Sequence, residues 1–335
     1  MDLRQQSIDI IRAGQSPSGA YIASPTFTTY AYSWIRDGSF IAYAMDLVGE
    51  HDSSRAFHAW VANTVLRYRD REVLHCRFTL DGLEAEVEWP NYQVDGYGAW
   101  LWALDRHVEV SGQRPSDAQY AAGELSVGYI GRRWSLPCSD CWEEQPDQVH
   151  VSTLACLYGG LNASSRLFSL KRAADVADSI RTTVLDKGLI DGRLAKWLGG
   201  DGIDASLLWA ATPFGLLDAR DSRLQATLTE IEQKCVDASG GVHRYPGDTY
   251  YGGGAWLLLT AWLGWHYALL GRQSDARRCL EWVEARADER GMPEQVPESI
   301  ASEDGLAAWT ERWGKSAHPL LWSHAMHLIL LSALG

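Results

Sequence analysis

The chain has 335 residues, of which 46% are hydrophobic, with 31 Gly and 11 Pro. That composition is too apolar for a disordered chain and lacks the Gly/Pro period of a fibrous one, so a folded globular protein is expected. The net charge is −13 with no basic block, which makes nucleic acid and anionic membranes poor partners.

The start of the chain, Met1 to Gln6, has no apolar stretch of the kind a secretion signal carries. With six scattered cysteines (Cys76, Cys138, Cys141, Cys156, Cys235, Cys279) this predicts reduced thiols and a cytoplasmic location. Cys138 and Cys141 have zinc-knuckle spacing, yet no second CxxC or HxxxH completes a ligand set, and no structural zinc is expected. Apolar residues recur at helical spacing over 3–13, 27–48, 53–69, 91–111, 116–134, 148–166, 168–186, 203–217, 221–235, 252–271, 273–290 and 318–334. Strand alternation is nearly absent, so the class is all-α.

Some of these segments are apolar all round, as in Ala99 to Leu104 and Trp256 to Leu270, whereas Ala173 to Leu185 and Ser274 to Ala287 carry a charged stripe. Buried and half-exposed helices taking turns is what a toroid of six inner and six outer helices requires. No Pro/Ser-rich linker interrupts it, and a single domain over residues 1–335 is expected. The segment 252–270 approaches membrane-span length, but its glycines and His266 fit a buried helix better.

Sixteen Trp and fourteen Tyr stand against six Phe. Trp and Tyr combine a flat apolar face with a polar handle, which suits sugar rings. Several lie between helices beside acids: Tyr30, Tyr32 and Trp34 before Arg36-Asp37, Trp89 and Tyr92 before Asp95, Trp142 before Glu143-Glu144, and Tyr245, Tyr250 and Tyr251 around Asp248. Trp309 and Trp313 follow Glu294. For any one of them, interior packing is the competing reading.

Glycoside hydrolysis calls for two carboxyl groups, one protonated and one ionised. Glu143 and Glu294 are the candidates. The adjacent Trp142 indole and Glu144 carboxylate are expected to raise the pKa of Glu143. Pro293 and Pro297 bracket Glu294 and are expected to stiffen its loop. Arg36-Asp37 pairs a fork donor with an acceptor suited to adjacent hydroxyls. His318, His324 and His327 lie on or beside one apolar C-terminal helix and form no metal set, and no metal or cofactor is assigned. Phosphate-loop and nucleophile-elbow motifs are absent.

Six ordered blocks, Tyr30 to Asp37, Gln93 to Gly98, Asp140 to Glu144, His243 to Tyr245, Pro293 to Gln295 and Leu321 to Ala325, resemble glycoside hydrolase family 15, the glucoamylase-like enzymes. The resemblance runs from about residue 21 to 330. It implies an (α/α)6 barrel and an inverting, exo-acting attack on the non-reducing end of an α-glucoside, with a small oligosaccharide as partner. It implies Glu143 as general acid and Glu294 as general base, with Arg36 and Asp37 clamping the terminal glucose. Tyr30 and Gln295 match positions near the catalytic water, Arg244, Trp142 and Glu144 the surround of the first two sugar subsites, and Trp322 the wall after the base. Trp34 and Asp95 stand within the matched blocks and complete the sugar-binding set. Inversion requires the carboxyl groups to stand roughly 6.5–9.5 Å apart, leaving room for a water.

Two departures from the family bear on substrate. With the first barrel motif beginning by residue 30, neither the β-sandwich of many prokaryotic members nor a starch-binding module is expected. A short chain of this kind suits small oligosaccharides, and residues 76–96 resemble bacterial members acting on isomaltose-type α-1,6 linkages. Maltose or dextrin glucoamylase and trehalase are the enzymatic alternatives, and an inactive sugar-binding protein on the same toroid is the non-enzymatic one.

Overall fold

In the computed structural model of the protein, which describes residues 2–335, eleven α-helices and one 3₁₀ segment wind into two concentric rings. The inner ring consists of α2 (Ile35–Leu47), α4 (Asp95–Ser111), α6 (Val151–Phe168), the 3₁₀ helix Ala205–Ala210, α9 (Leu257–Leu269) and α12 (Leu321–Leu334). Each packs on the next, and α12 packs back on α2 to close the ring. The outer ring consists of α1 (Leu3–Ala13), α3 (His51–Arg67), α5 (Asp117–Arg133), α7 (Lys171–Lys187), α8 (Ser222–Lys234) and α10 (Gln273–Glu284). This is the (α/α)6 barrel.

The sequence dictates which helix goes where. In α9 every residue from Leu257 to Gly264 is buried, whereas α10 buries only Ala276, Cys279, Trp282 and Val283 and turns its charged stripe to water. At one point inner helices touch backbone to backbone: a Cβ added to Gly160 of α6 would lie 2.3 Å from the Gly98 carbonyl oxygen of α4. No other residue fits there.

The bore is filled. Phe40 stacks on Trp322 at 5.6 Å between ring centroids and meets Trp262 at 4.7 Å, Trp102 at 5.4 Å, Trp209 at 6.1 Å and Phe214 at 6.1 Å. These rings account for part of the tryptophan excess as core.

Three short antiparallel strand pairs decorate the barrel. Ser33–Trp34 pairs with Arg77–Phe78, Leu189–Ile190 with Arg193–Leu194, and Ala255–Trp256 with Gln295–Val296. The first and third lead directly into α2 and α9. They replace helical turns that the apolar spacing predicts over 27–34 and 252–256. The segment 203–217 is also shorter than expected: Pro213 and Gly215 deny it a continuous ladder, and only six residues adopt 3₁₀ form. Conversely, residues expected as loop between 296 and 317 contain α11 (Glu303–Trp313), capped by Ser302 accepting from the Gly305 N–H. It packs against a 3₁₀ turn at Tyr250–Gly253, outside both rings.

Cys138 and Cys141 are buried free thiols. His324 and His327 share the Ser7 hydroxyl at 2.9 and 3.1 Å and tie α12 to α1. No helix among the described residues is long and apolar enough to cross a membrane.

Candidate active site

The N-terminal ends of the inner helices converge on one face, and the segments that enter them line a pocket of about 600 Å³ including its mouth. Nine of the twelve residues singled out from the sequence line it: Tyr30, Trp34, Arg36, Asp37, Trp142, Glu143, Arg244, Glu294 and Trp322. Asp95, Glu144 and Gln295 stand outside its wall.

Glu143 sits in a loop folded around Asp140. The Trp142 and Glu144 N–H groups donate to Asp140 Oδ1 at 3.0 Å each, and the Glu143 N–H donates to the Asp140 carbonyl at 2.9 Å. Glu143 itself has φ 68°, a left-handed conformation that a non-glycine residue holds only when its surroundings enforce it. The indole in contact with it belongs to Trp34, whose Nε1 donates to Oε1 at 2.6 Å. This corrects the expected neighbours. Trp142 Nε1 donates instead to both oxygens of Asp204, at 3.1 and 3.0 Å, and Glu144 faces Arg244 at 3.0 Å and the Tyr245 hydroxyl.

Behind this loop lies a buried ion network absent from the sequence expectation. Lys196 Nζ stands 3.0 Å from Asp204 and 3.7 Å from Asp140, above the Tyr245 ring at 3.6 Å. Burial raises Asp140 to about 7, with Asp204 pushing the same way and Lys196 opposing.

Glu294 is 3% exposed. The chain holds it on three sides: its N–H donates to the Ala317 carbonyl at 2.9 Å, its carbonyl accepts from the Leu257 N–H at 3.2 Å, and Ser323 Oγ donates to the Pro293 carbonyl at 2.9 Å. Backbone bonding thus adds to the stiffness expected from the prolines. Tyr30 Oη donates to Glu294 Oε1 at 3.1 Å and also meets the Tyr250 hydroxyl, while Oε2 has no hydrogen-bond partner among the described residues. Burial raises Glu294 to about 8; the Tyr30 bond and Arg244 oppose this, and Asp37 and Glu143 add to it.

Arg36 and Asp37 open α2. Arg36 Nη1 donates to Gln93 Oε1 at 2.8 Å and to Asp95 Oδ2 at 3.1 Å, so Asp95 acts behind the arginine rather than in the pocket. Asp37 is raised to about 7 by burial, against the pull of Arg36. Arg244 is fastened by Asp248 at 2.7 and 2.6 Å. Its guanidinium lies 4.8 to 5.6 Å from the rings of Tyr250, Tyr245, Trp256 and Trp142. Trp89, Tyr250 and Trp256 complete the aromatic wall. Trp89 and Tyr250 were legible as aromatics beside acids, whereas Trp256 reads as part of an apolar helix.

Glu294 Oε2 and the Nε1 atoms of Trp89, Trp256 and Trp322 are buried without hydrogen-bond partners among the described residues, and Arg36 Nε and Asp37 Oδ1, an ion pair at 3.4 Å, make no other bond there. Donors and acceptors left open on aromatic walls match a small molecule that has both flat faces and hydroxyls. Gln295 lies beside this set, with its side-chain amide buried and without a hydrogen bond among the described residues.

Comparison with known proteins agrees. A curated relative, isomaltose glucohydrolase from Kribbella flavida, is 39% identical over 360 residues, covering 100% of this chain and 93% of that protein. Trehalase from Thermoplasma acidophilum is 24% identical over 316 residues, covering 82% of this chain and 54% of the trehalase. Among solved structures, a glycosidase variant in complex with glucose matches with a TM-score of 0.96 and 38% identity, over 100% of this chain and 96% of that one. A bacterial glucoamylase complexed with acarbose shares the fold, with a TM-score of 0.78 and 20% identity over 99% of this chain and 55% of that one. The sequence matches the family described as "Glycosyl hydrolases family 15" across residues 2–332, and the chain belongs to that family of glycoside hydrolases.

Proposed function

We propose that the protein is an inverting, exo-acting α-glucosidase, a single catalytic domain that removes glucose from the non-reducing end of small α-1,6-linked oligosaccharides of the isomaltose type. The observation that carries this reading is the placement of two carboxyl groups in one aromatic pocket with unlike surroundings: Glu143 under the Trp34 indole near the surface, and Glu294 buried with one oxygen bonded and one open.

In this reading Glu143 donates its proton to the leaving glycosidic oxygen. Glu294 in its ionised form takes a proton at Oε2 from the water that attacks the anomeric carbon, while Tyr30 holds Oε1 and fixes the carboxylate plane; because burial raises Glu294 to about 8, turnover by this pair rises with pH up to about that value. Asp37 and Arg36 grip hydroxyls of the terminal glucose, and Arg244 with Trp142 borders the next ring. The isomaltose preference is supported by the full-length likeness to the Kribbella enzyme.

A proton-NMR time course of the purified protein with isomaltose, maltose, trehalose and a short dextran tests the proposal. β-Glucose appearing first, and fastest from isomaltose, is expected. α-Glucose appearing first overturns inversion, faster release from maltose or trehalose overturns the linkage, and no release from any sugar favours the inactive sugar-binding alternative.

A further inference from the structure

At the end of α2 remote from the pocket, three helices bring together a set of groups that the catalytic reading does not use. Asp46 comes from α2, His58 from α3 and His107 from α4. All three are buried, and one carboxylate oxygen and one nitrogen from each imidazole lie within 4.8 Å of one another. His107 Nδ1 stands 3.0 Å from both Asp46 oxygens.

His58 is the second, independent observation. It is fully buried, yet neither ring nitrogen has a hydrogen-bond partner among the described residues. Its ring lies 5.1 Å from that of His107. A buried imidazole without partners costs free energy that a lone packing role does not return, because Leu or Met would fill the space without that cost.

The surroundings have the character of a supported metal site. The Asp46 carboxylate is oriented by Ser54 Oγ, donating to Oδ2 at 2.6 Å, and by His51 Nδ1 at 2.8 Å from Oδ1. Such outer bonds fix a ligating carboxylate. A surface cleft lined by Asp52, Arg55 and Gln113 reaches His107 and gives an entry path.

We propose that Asp46, His58 and His107 bind one divalent transition-metal ion of the zinc class, two imidazoles and one carboxylate being a donor set suited to such ions. The ion clamps α2, α3 and α4 together. The three ligands are scattered at 46, 58 and 107, so no short motif announces them, which is why the sequence assigns no metal.

The test begins with protein freed of metal by chelator and dialysis, titrated with Zn²⁺ by calorimetry and followed by thermal melting. One equivalent bound, with a rise in Tm, is expected, and both effects should be lost in His58→Leu and in His107→Gln. Failure to bind one equivalent overturns the proposal, and so does binding retained by both variants, which would place the ion elsewhere. Should the variants not fold, Co²⁺ added to the metal-free wild-type protein decides: ligand-field bands saturating at one equivalent without thiolate charge transfer support the site. Absence of such bands, or the appearance of thiolate charge transfer from a cysteine, sinks it.

Discussion

Tyr30 and Trp34 meet edge to face at 5.7 Å between ring centroids, and each donates a hydrogen bond to a different candidate catalytic carboxylate, Tyr30 to Glu294 and Trp34 to Glu143. One short segment therefore sets both acids. Because the Tyr30 bond opposes the burial that raises Glu294, Tyr30→Phe should shift the acidic limb of the kcat/KM profile to higher pH and lower kcat by roughly 10–100-fold, a part of what general-base catalysis supplies. An unchanged limb would mean that the hydroxyl does not tune Glu294.

Glu143→Gln and Glu294→Gln are each expected to reduce kcat by about 10²–10⁴-fold, the usual worth of a positioned acid or base, while glucose still binds by calorimetry. Near-wild-type turnover in either variant would show that a different carboxylate does the chemistry.

Glu294 also links stability to pH. Its pKa is raised from 4.5 to about 8 in the folded protein, so the native state holds this proton more tightly than the unfolded chain. Its contribution is intact below about 4.5 and is lost as pH rises through about 8. Gln at this position stays neutral, so the Tm advantage of Glu294→Gln over wild type should grow from pH 5 to pH 8. Scanning calorimetry across that range checks the sign, and a flat or shrinking difference contradicts it.

Lys196 lies between Asp140 and Asp204 beneath the Glu143 loop. Replacing it with Met leaves two buried carboxylates uncompensated, a change that typically costs about 3–5 kcal/mol. Lower Tm accompanied by lost activity is expected, because Asp140 organises the loop that carries Glu143. Denaturant melts and activity measured on the same preparation test both effects.

Gly160→Ala would drive a methyl group into the Gly98 carbonyl. Overpacking of this kind costs about 1–3 kcal/mol, and here it pushes apart two neighbours of the inner ring. A melt showing no loss of stability would mean that the ring yields more easily than its packing implies.

Helix periodicity carried the barrel, because inner helices such as α9 are apolar all round and outer ones such as α10 are striped. It overran at the N-termini of α2 and α9, where Tyr30, Trp34 and Trp256 continue the apolar pattern but belong to the pocket wall. Aromatic residues placed for a ligand look like core in one dimension. The helix α11 was missed although Ser302, Glu303 and Asp304 form a proper start, since none of its residues is buried and its apolar stripe is thin. The carboxylate pair was legible through local motifs. The Lys196 network and the Asp46, His58 and His107 group were not, because their members meet only through the tertiary fold.

Phe40 and the rings around it stop the bore beneath Trp322. The pocket is therefore a chamber with one door. Under the proposed exo-acting reading, two fragments cut from a bound sugar have to leave in file: the piece nearer the mouth goes first, and the glucose on the floor departs last. Until it does, it bars the next molecule, so free glucose should act as a competitor of the incoming chain.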